Sequence, residues 1–323
     1  MKSTGMHGTQ PKEPKLKSRK QTVFPKVPDQ HKVGKPLIPN GLGVIYVLTT
    51  TIYLFSIYFI ARINPTELGF LDHYIGTVSA SLTLAVCVLF GGFMGLLDDF
   101  MDLKWRYKAF MPLIAALPLM YYAFEGINQY PQAIRSSITL PFIGELEFGA
   151  YYVFLLIPII VMIVTNVVNM LGGLNGLETL CPAIVIAGLI AVSPVSLLMV
   201  GPLLFWLALT YFNLRGKIFV GNAGSFAIGI SVASFAILSD LKVDLAISIL
   251  PFIFNSSLIL LSVFFTRRKA KVTFDGEKLC SDSRKSLVTT ITYKRPLAER
   301  KIVLIIVAIV AATTLLGLIL TLP

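Results

Sequence analysis

The 36 residues TLCPAIVIAGLIAVSPVSLLMVGPLLFWLALTYFNL (179–214) contain no charged side chain. One straight helix of this length, at about 1.5 Å per residue, would be longer than the hydrocarbon core of a bilayer, which is about 30 Å thick. Ser193-Pro194 lies near the middle of the stretch, and this dipeptide is typical of a turn. The stretch therefore predicts two membrane-spanning helices in succession.

Seven further stretches lack charged residues and predict one spanning helix each: 36–61, 74–97, 109–124, 148–177, 218–239, 245–266 and 302–323. The segment 109–124 is the weakest, because it is short and carries Pro112 and Pro118. Charged residues make up 14% of the chain, against about 25% in an average soluble domain. This composition excludes an ordinary soluble enzyme, a disordered chain and a fibrous protein. The sequence predicts an all-α polytopic membrane protein with about nine transmembrane helices.

The distribution of basic residues predicts the orientation of these helices. With the N-terminus inside, the inner segments 1–35, 98–108, 215–217 and 267–301 hold 25 of the 28 lysines and arginines. The outer segments hold only Arg62, Arg135 and Lys242. Such asymmetry indicates a cytoplasmic N-terminus and an external C-terminus. It also accounts for the net charge of +11 without nucleic acid as a partner.

The chain divides into two regions on composition. Residues 1–35 form a basic cytoplasmic tail without the apolar core of a signal peptide, and we expect them to be disordered or to lie on the lipid surface. Residues 36–323 form a single transmembrane domain with cytoplasmic loops at 98–108, 171–178, 214–223 and 267–301. In the outer loop, the alternation around Ile143-Gly144 predicts a short external β-hairpin.

The first polar cluster, GGFMGLLDDFMDLKWRYK (91–108), lies at the inner end of the second helix. If the helix continues, Asp98 and Asp102 share one face and Asp99 points about 100° away. Repulsion between adjacent carboxylates is relieved by a cation or a phosphate-bound metal, and the neighbouring basic residues can neutralise phosphate. Gly91 and Gly95 allow close approach of another helix. The alternative is a helix end whose surface charges pair with one another.

Three more clusters fall on the same predicted face of the membrane. In TNVVNMLGGLNGLE (165–178), three asparagines and three glycines let the backbone approach a ligand, although asparagines also cap helices. In RGKIFVGNAGSF (215–226), Gly221–Ser225 could present N–H groups to an anion or simply reverse the chain. The loop 267–301, with RRKAK at 267–271, is on its own only a positively charged inner loop.

The convergence of carboxylates, amides, a glycine turn and cations at one membrane surface indicates a chemistry. It suits metal-assisted phosphoryl transfer between a soluble anionic donor and a lipid. An ion channel or proton-driven carrier would instead place its polar groups near the bilayer midplane. There this chain offers mainly serine, threonine and glycine.

These residues resemble a known family. The stretches GKPLIPNGLG (34–43), GLLDDFMDLKWRYK (95–108), TNVVNMLGGLNGLE (165–178), RGKIFVGNAGSFAIG (215–229) and RKSL (284–287) are similar to the polyprenyl-phosphate N-acetylhexosamine-1-phosphate transferases, of the glycosyltransferase family 4 type. The likeness is greatest to the archaeal and eukaryotic branch, which uses UDP-N-acetylglucosamine and dolichyl phosphate. It covers about residues 30–323, with the motifs in the same order.

The resemblance implies that a UDP-sugar gives its sugar 1-phosphate to a polyprenyl or dolichyl phosphate with release of UMP, the first membrane step of lipid-linked glycan assembly. Mg²⁺ is the implied cofactor, with Mn²⁺ as an alternative, and a homodimer is left open. Carried over by position, the catalytic residues are Asp98, Asp99 and Lys108; the substrate-binding residues are Asn166, Asn175, Gly221, Arg267 and Arg268; and the metal ligands are Asn169, Asn222 and Asp98.

The sequence departs from the family pattern at several positions. Asn222 stands where an aspartate ligand is usual, Asn40 stands where glutamate is common, and the last inner loop lacks histidine. A basic tail replaces the usual first helix. These departures keep open a non-catalytic paralogue that binds nucleotide-sugar or lipid or partners an active enzyme, and a transporter of lipid-linked sugar.

Overall fold

The computed structural model describes residues 24–72, 74–75, 78–129, 134–140, 144–266 and 272–321. Its long helices are α1 (Gly43–Ile63), α2 (Ala80–Met101), α3 (Trp105–Asn128), α4 (Tyr152–Met170), α5 (Leu177–Val192), α6 (Leu197–Leu214), α7 (Gly221–Leu238), α8 (Lys242–Ser248 and Leu250–Phe265) and α9 (Glu299–Thr321). Short helical segments lie at Pro65–Leu68, Gly69–Leu71 and Leu287–Ile291. The strands are β1 (Lys26–Pro28), β2 (Leu37–Pro39), β3 (Tyr74–Ile75), β4 (Val78–Ser79), β5 (Ser137–Leu140), β6 (Gly144–Glu147), β7 (Val272–Phe274), β8 (Lys278–Ser281) and β9 (Leu297–Ala298).

The lengths and the apolar composition of the helices are those of a polytopic membrane protein. Within the described parts of the chain, seven helices are long and apolar enough to cross a bilayer. The two halves of α8, which meet at an angle of 54°, would form an eighth span. Helix α5 is apolar but has only 16 residues. The fold class is therefore confirmed as a many-helix membrane protein, while the count of nine spans stays a prediction.

Prolines and turns divide the helices where the sequence predicts. Helix α5 ends at Val192 and α6 begins at Leu197, on either side of Ser193-Pro194. Helix α3 consists of the segments Trp105–Phe110, Pro112–Ala115 and Leu117–Gln129. Proline lacks the backbone N–H that would continue a helical ladder, so Pro112 begins a new segment. Pro251 has the same place at the start of the second half of α8.

Helix α7 lies at the centre of the molecule. Every residue from Ala223 to Leu238 is buried, and the helix packs against α1, α2 and α4. A Cβ atom on Gly95 would lie 2.1 Å from the carbonyl oxygen of Asn222, and one on Gly91 would lie 2.7 Å from Ile230. These two glycines therefore allow the close helix approach that the sequence predicts, and they bring the end of α2 onto the start of α7.

Residues 24–35 are ordered, which corrects the expectation of a disordered tail for this part of the N-terminal region. Strand β1 pairs antiparallel with β2, and the backbone N–H of Asn40 donates to the carbonyl of Pro25 at 2.8 Å. The N–H of Phe219 donates to the carbonyl of Pro39 at 2.8 Å, which attaches the hairpin to the segment before α7. Backbone pairing thus orders a segment that is too basic to bury itself. Residues 1–23 lie outside the described residues.

The predicted hairpin in the loop between α3 and α4 is confirmed in its strands. β5 pairs antiparallel with β6, with Ile138 opposite Leu146. The ammonium of Lys242 donates to the carbonyls of Arg135 and Ser137 at 2.6 and 2.9 Å, which attaches this hairpin to α8. The turn at 141–143 lies outside the described residues.

The segment 272–301 is more structured than a simple basic loop. β7, β8 and β9 form a three-stranded antiparallel sheet, and Ser286 caps the short helix Leu287–Ile291. Asn255 of α8 accepts the N–H of Leu287 at 2.9 Å and donates to the carbonyl of Met170 at 2.9 Å. This buried amide joins the sheet region, α8 and the end of α4.

Candidate functional site

Five of the predicted site residues line one cavity of about 530 Å³. Asp99 comes from α2, Asn169 and Asn175 from the end of α4 and the loop after it, and Gly221 and Asn222 from the start of α7. The other lining residues are Val27, Pro28, Asp29, Gln30, His31, Asn40, Met170, Gly172, Gly173, Leu174, Glu178 and Phe219. Segments far apart in sequence therefore form one site, as the convergence argument predicts.

Asp99 joins the end of α2 to the start of α7. Its carboxylate accepts hydrogen bonds from the backbone N–H groups of Asn222 and Ala223, each at 3.0 Å. The first N–H groups of a helix have no partner within the helix, and the positive end of the helix dipole favours an anion there. The anion-binding turn that the sequence predicts at Gly221–Ser225 is therefore occupied in part by the chain's own carboxylate.

The contact between Asp99 and the start of α7 requires a glycine at position 221. Its φ of +69° is a conformation that favours glycine, and a Cβ atom would lie 2.8 Å from both Oδ2 of Asp99 and the Cα of Gly41. Gly41 also has a positive φ, of +86°, and faces Asp99. The two glycines let the backbone of the N-terminal segment and of α7 approach the carboxylate closely.

Asp98, next to Asp99 in sequence, does not line the cavity. Its Oδ1 pairs with the ammonium of Lys108 at 2.8 Å and accepts the N–H of Leu103 at 3.0 Å, while Oδ2 is buried and has no partner among the described residues. Helix α2 ends at Met101, and Asp102 adopts a left-handed φ of 46°. Lys108 still reaches Asp102 at 3.7 Å, so one cation faces both carboxylates.

Sequence reasoning missed Glu178 and Ser225 as site residues. Glu178 opens α5 and lines the same cavity as Asp99. The hydroxyl of Ser225 donates to Oδ1 of Asn169 at 2.8 Å, which fixes the orientation of that amide. Both residues lie inside the quoted motifs. Nothing in the sequence distinguished their side chains from ordinary polar residues near a helix end, so neither was predicted as a site residue.

The amide of Asn175 lies between two carboxylates. Its Nδ2 donates to Asp29 at 2.8 Å and to Glu299 at 3.3 Å, and its backbone N–H donates to Glu299 at 2.9 Å. Glu299 in turn forms an ion pair with Lys32. The side-chain oxygen of Asn175 is buried and has no partner in the part of the chain that the structure describes. Asp29 was assigned to the disordered tail, so its place here could not be foreseen.

Asn166 does not line the cavity. It donates to the carbonyls of Ala109 and Met162 at 3.0 and 2.8 Å, which ties α4 to the start of α3. Arg267 and Arg268 lie outside the described residues.

The cavity has the donor atoms that Mg²⁺ prefers. It offers the carboxylates of Asp99 and Glu178 and the amide groups of Asn169 and Asn222. Neither carboxylate lies within ion-pair distance of a lysine or arginine in the described segments. Those segments also hold no group of three or more histidine, cysteine, aspartate or glutamate side chains suited to a metal. Mg²⁺ commonly uses one or two carboxylates together with water and substrate phosphates, so this oxygen-rich set fits the ion.

Comparison with known proteins identifies a family. The model of the family described as Glycosyl transferase family 4 matches residues 81–240, which include both aspartates and the asparagine-rich motif. The chain belongs to this family.

Three relatives illustrate its range. One is a Saccharolobus solfataricus protein with the provisional name UDP-N-acetylglucosamine–dolichyl-phosphate N-acetylglucosaminephosphotransferase. It is 27% identical to this chain over 86% of this chain's length and 82% of its own length. The Schizosaccharomyces pombe protein of that name is 29% identical over 71% of this chain and 59% of its own. The phospho-N-acetylmuramoyl-pentapeptide-transferase of Clostridium perfringens is 28% identical over 75% of this chain and 74% of its own.

Proposed function

We propose that this chain transfers N-acetylglucosamine 1-phosphate from UDP-N-acetylglucosamine to a polyprenyl or dolichyl phosphate, with release of UMP. The observation that carries the proposal is the meeting of Asp99, Asn169, Asn175 and Asn222 in one polar cavity at the ends of membrane-spanning helices. The names of the archaeal and eukaryotic relatives support the choice of sugar and lipid. Nothing in the site favours the non-catalytic or transporter alternatives.

The reaction joins a lipid anion to a nucleotide-sugar. An oxygen of the lipid phosphate forms a bond with the β-phosphorus of the donor, and the bond from that phosphorus to the bridging oxygen breaks. UMP leaves with the bridging oxygen and its electron pair. A phosphate monoester has its second pKa near about 6, so the lipid phosphate is mostly dianionic at neutral pH. The site therefore has to position two anions and offset their repulsion more than it has to remove a proton.

Two groups of residues serve these tasks in the proposal. Asp98 holds Lys108, whose side chain is 27% exposed and keeps an N–H for a phosphate oxygen. Asp99 is held in place by hydrogen bonds from two N–H groups of α7, and these bonds also fix Asn222 next to it. Asn175 donates to Asp29, which follows β1 of the N-terminal hairpin, and is assigned to the nucleoside.

Mg²⁺ is the proposed cofactor. Asp99, Glu178, Asn169 and Asn222 are the residues that would hold it, whereas Asp98 is assigned to Lys108 because it does not line the cavity. When bound, the ion neutralises the donor diphosphate and stabilises the charge that develops during transfer. The excess of basic residues on the segments around the cavity supports a site that faces the cytoplasm.

The test is a transfer assay on the purified full-length chain. We expect radiolabel from UDP-N-acetylglucosamine to enter a lipid-extractable product when dolichyl phosphate and Mg²⁺ are present, with equal release of UMP. Asp99→Asn should lower turnover by about 100-fold or more, since one preorganised electrostatic group commonly contributes that much.

The matched control is Asp102→Asn. Its side chain is fully exposed, and asparagine tolerates the left-handed backbone at this position, so turnover should stay near that of the unchanged chain. Absence of labelled lipid in the unchanged chain, or full activity in a folded Asp99→Asn variant, would contradict the proposal.

A further inference from the structure

We propose that Asp29 and Glu299 are positioning residues for the donor nucleotide: together they fix the orientation of the Asn175 amide, so that its oxygen accepts a hydrogen bond from an N–H group of the nucleobase. The inference rests on the proposed function, because it takes a uridine nucleotide as the ligand of the cavity. It assigns a role to two carboxylates that come from opposite ends of the chain.

The three residues form a closely bonded group. Asp29 is 3% exposed and Asn175 is 7% exposed. Nδ2 of Asn175 lies 2.8 Å from Oδ2 of Asp29 and 3.3 Å from Oε1 of Glu299. The other oxygen of Asp29 accepts the backbone N–H of His31 at 3.2 Å. Asp29 and Asn175 both line the cavity, so the group forms part of its wall.

Chemistry decides which way the amide points. An ionised carboxylate can only accept hydrogen bonds, whereas an amide has a donating nitrogen and an accepting oxygen. Rotating the amide by half a turn would place its oxygen against two carboxylates and leave two donors unused. Two acceptors on one side therefore hold the nitrogen there, and Glu299 is itself held by its ion pair with Lys32.

The orientation leaves one polar atom of Asn175 for a ligand. Its side-chain oxygen is buried and has no partner in the described structure. A buried acceptor without a hydrogen bond costs free energy, so a ligand that supplies a donor is favoured over one that does not. Uracil presents the N3–H imide as such a donor, whereas N3 of cytosine is an acceptor and would face the amide oxygen unfavourably.

The experiment measures nucleotide binding by the purified full-length chain. In calorimetric titrations we expect UMP to bind at least about tenfold more tightly than CMP or N3-methyl-UMP, since a hydrogen-bonding site rejects an analogue that lacks the donor. Asp29→Leu should weaken UMP binding by about tenfold and bring the UMP and CMP affinities together, because the amide can then rotate. The KM for the lipid phosphate should change by less than about twofold.

Two variants serve as controls. Asp29→Asn keeps an oxygen that can accept from Asn175, so it should retain most of the preference for UMP. Asp72→Leu removes a different buried carboxylate, one that accepts from Ser79 and Ser81 at the other end of α2, and it should leave the UMP-to-CMP ratio unchanged.

The outcomes separate this inference from the proposed function. A folded Asp29→Leu variant with the unchanged UMP-to-CMP ratio would overturn the inference alone. So would binding of N3-methyl-UMP as tight as that of UMP to the unchanged chain, a measurement that needs no variant. A chain that binds none of the nucleotides would overturn the proposed function and the inference with it.

Discussion

Single side chains hold the candidate site together across long distances in sequence. Asp99 accepts two N–H groups from α7, and Asn175 donates to Asp29, which lies 146 residues before it. Each of these contacts gives a charged or polar group a hydrogen-bond partner from a distant part of the chain. Changes at these positions should therefore affect the geometry of the site before they affect the rest of the fold.

Gly221→Ala tests the close approach of α7 to Asp99. The added Cβ would lie 2.8 Å from both Oδ2 of Asp99 and backbone of Gly41, at a φ of +69°. We expect a loss of about 1–3 kcal/mol in the free energy of unfolding and at least a tenfold fall in turnover, since a shift of about 1 Å at a site can cost about 100-fold. Thermal unfolding and the transfer assay measure the two effects.

The control for backbone strain is Gly276→Ala. Gly276 has a φ of +107°, but no atom of the described segments beyond its chain neighbours lies within 4 Å of the added Cβ, so only strain should appear and turnover should persist. Equal loss of turnover in both variants would argue against a specific role for the contact between Gly221 and Asp99.

Asn222→Asp tests the proposed magnesium site. A carboxylate at this position adds a charged ligand, so we expect a lower Mg²⁺ concentration at half-maximal turnover. Without Mg²⁺ the new charge lies beside Asp99, to which the backbone N–H of residue 222 donates, and the thermal stability should fall. Asn128→Asp, at an exposed position on α3, is the matched control. An unchanged Mg²⁺ requirement would argue that residue 222 is not a ligand.

At the scale of elements, short strands and caps attach the loops to the helices. The β1–β2 hairpin joins the segment before α7, and the sheet of β7, β8 and β9 is joined to α8 through Asn255. The turn between β7 and β8 is closed by Asp275, whose pKa is lowered by hydrogen bonds from the N–H groups of Glu277 and Lys278. These attachments place the loops around the ends of α4 and α7.

Asn255→Leu tests the junction between the sheet region and the helices. The change leaves the N–H of Leu287 and the carbonyl of Met170 without their partner, and each such group costs about 1–3 kcal/mol when buried. We expect a loss of about 2–4 kcal/mol in the free energy of unfolding, measured by denaturation in detergent. Asn64→Leu removes only exposed hydrogen bonds and should cost less than about 0.5 kcal/mol. Equal stability of the two variants would contradict this account.

At the scale of the whole molecule, the orientation in the membrane remains to be measured. Cys87 and Cys181 are buried and should not react with a maleimide. Replacing Cys280 by serine therefore removes the background labelling. We expect Glu277→Cys to react with an impermeant maleimide only from the inner side, and Glu145→Cys only from the outer side, as the distribution of basic residues predicts. Both replace an exposed glutamate in a hairpin, so their reactivities are comparable. Labelling of both from the same side would contradict the orientation.

The helices were predictable because the signal for a membrane span is local. A run of about 20 apolar residues is enough, and Ser193-Pro194 was sufficient to divide the longest run. The sheet of β7, β8 and β9 was missed because its strands have two to four residues, too few for a clear alternation. The ordered segment 24–35 was missed because its partners lie near Phe219 and Asn175.

The sequence by itself determined the class of the protein and the polar motifs, since each is a property of neighbouring residues. Only the tertiary structure decided that Asp99 caps α7, that Asp98 pairs with Lys108, that Asn166 joins two helices and that Asp29 meets Asn175. The physical reason is that the hydropathy of a segment depends only on consecutive residues, whereas the partner of a buried polar group depends on how the helices pack. Gly43, Gly95 and Gly221 allow that packing by bringing backbones together.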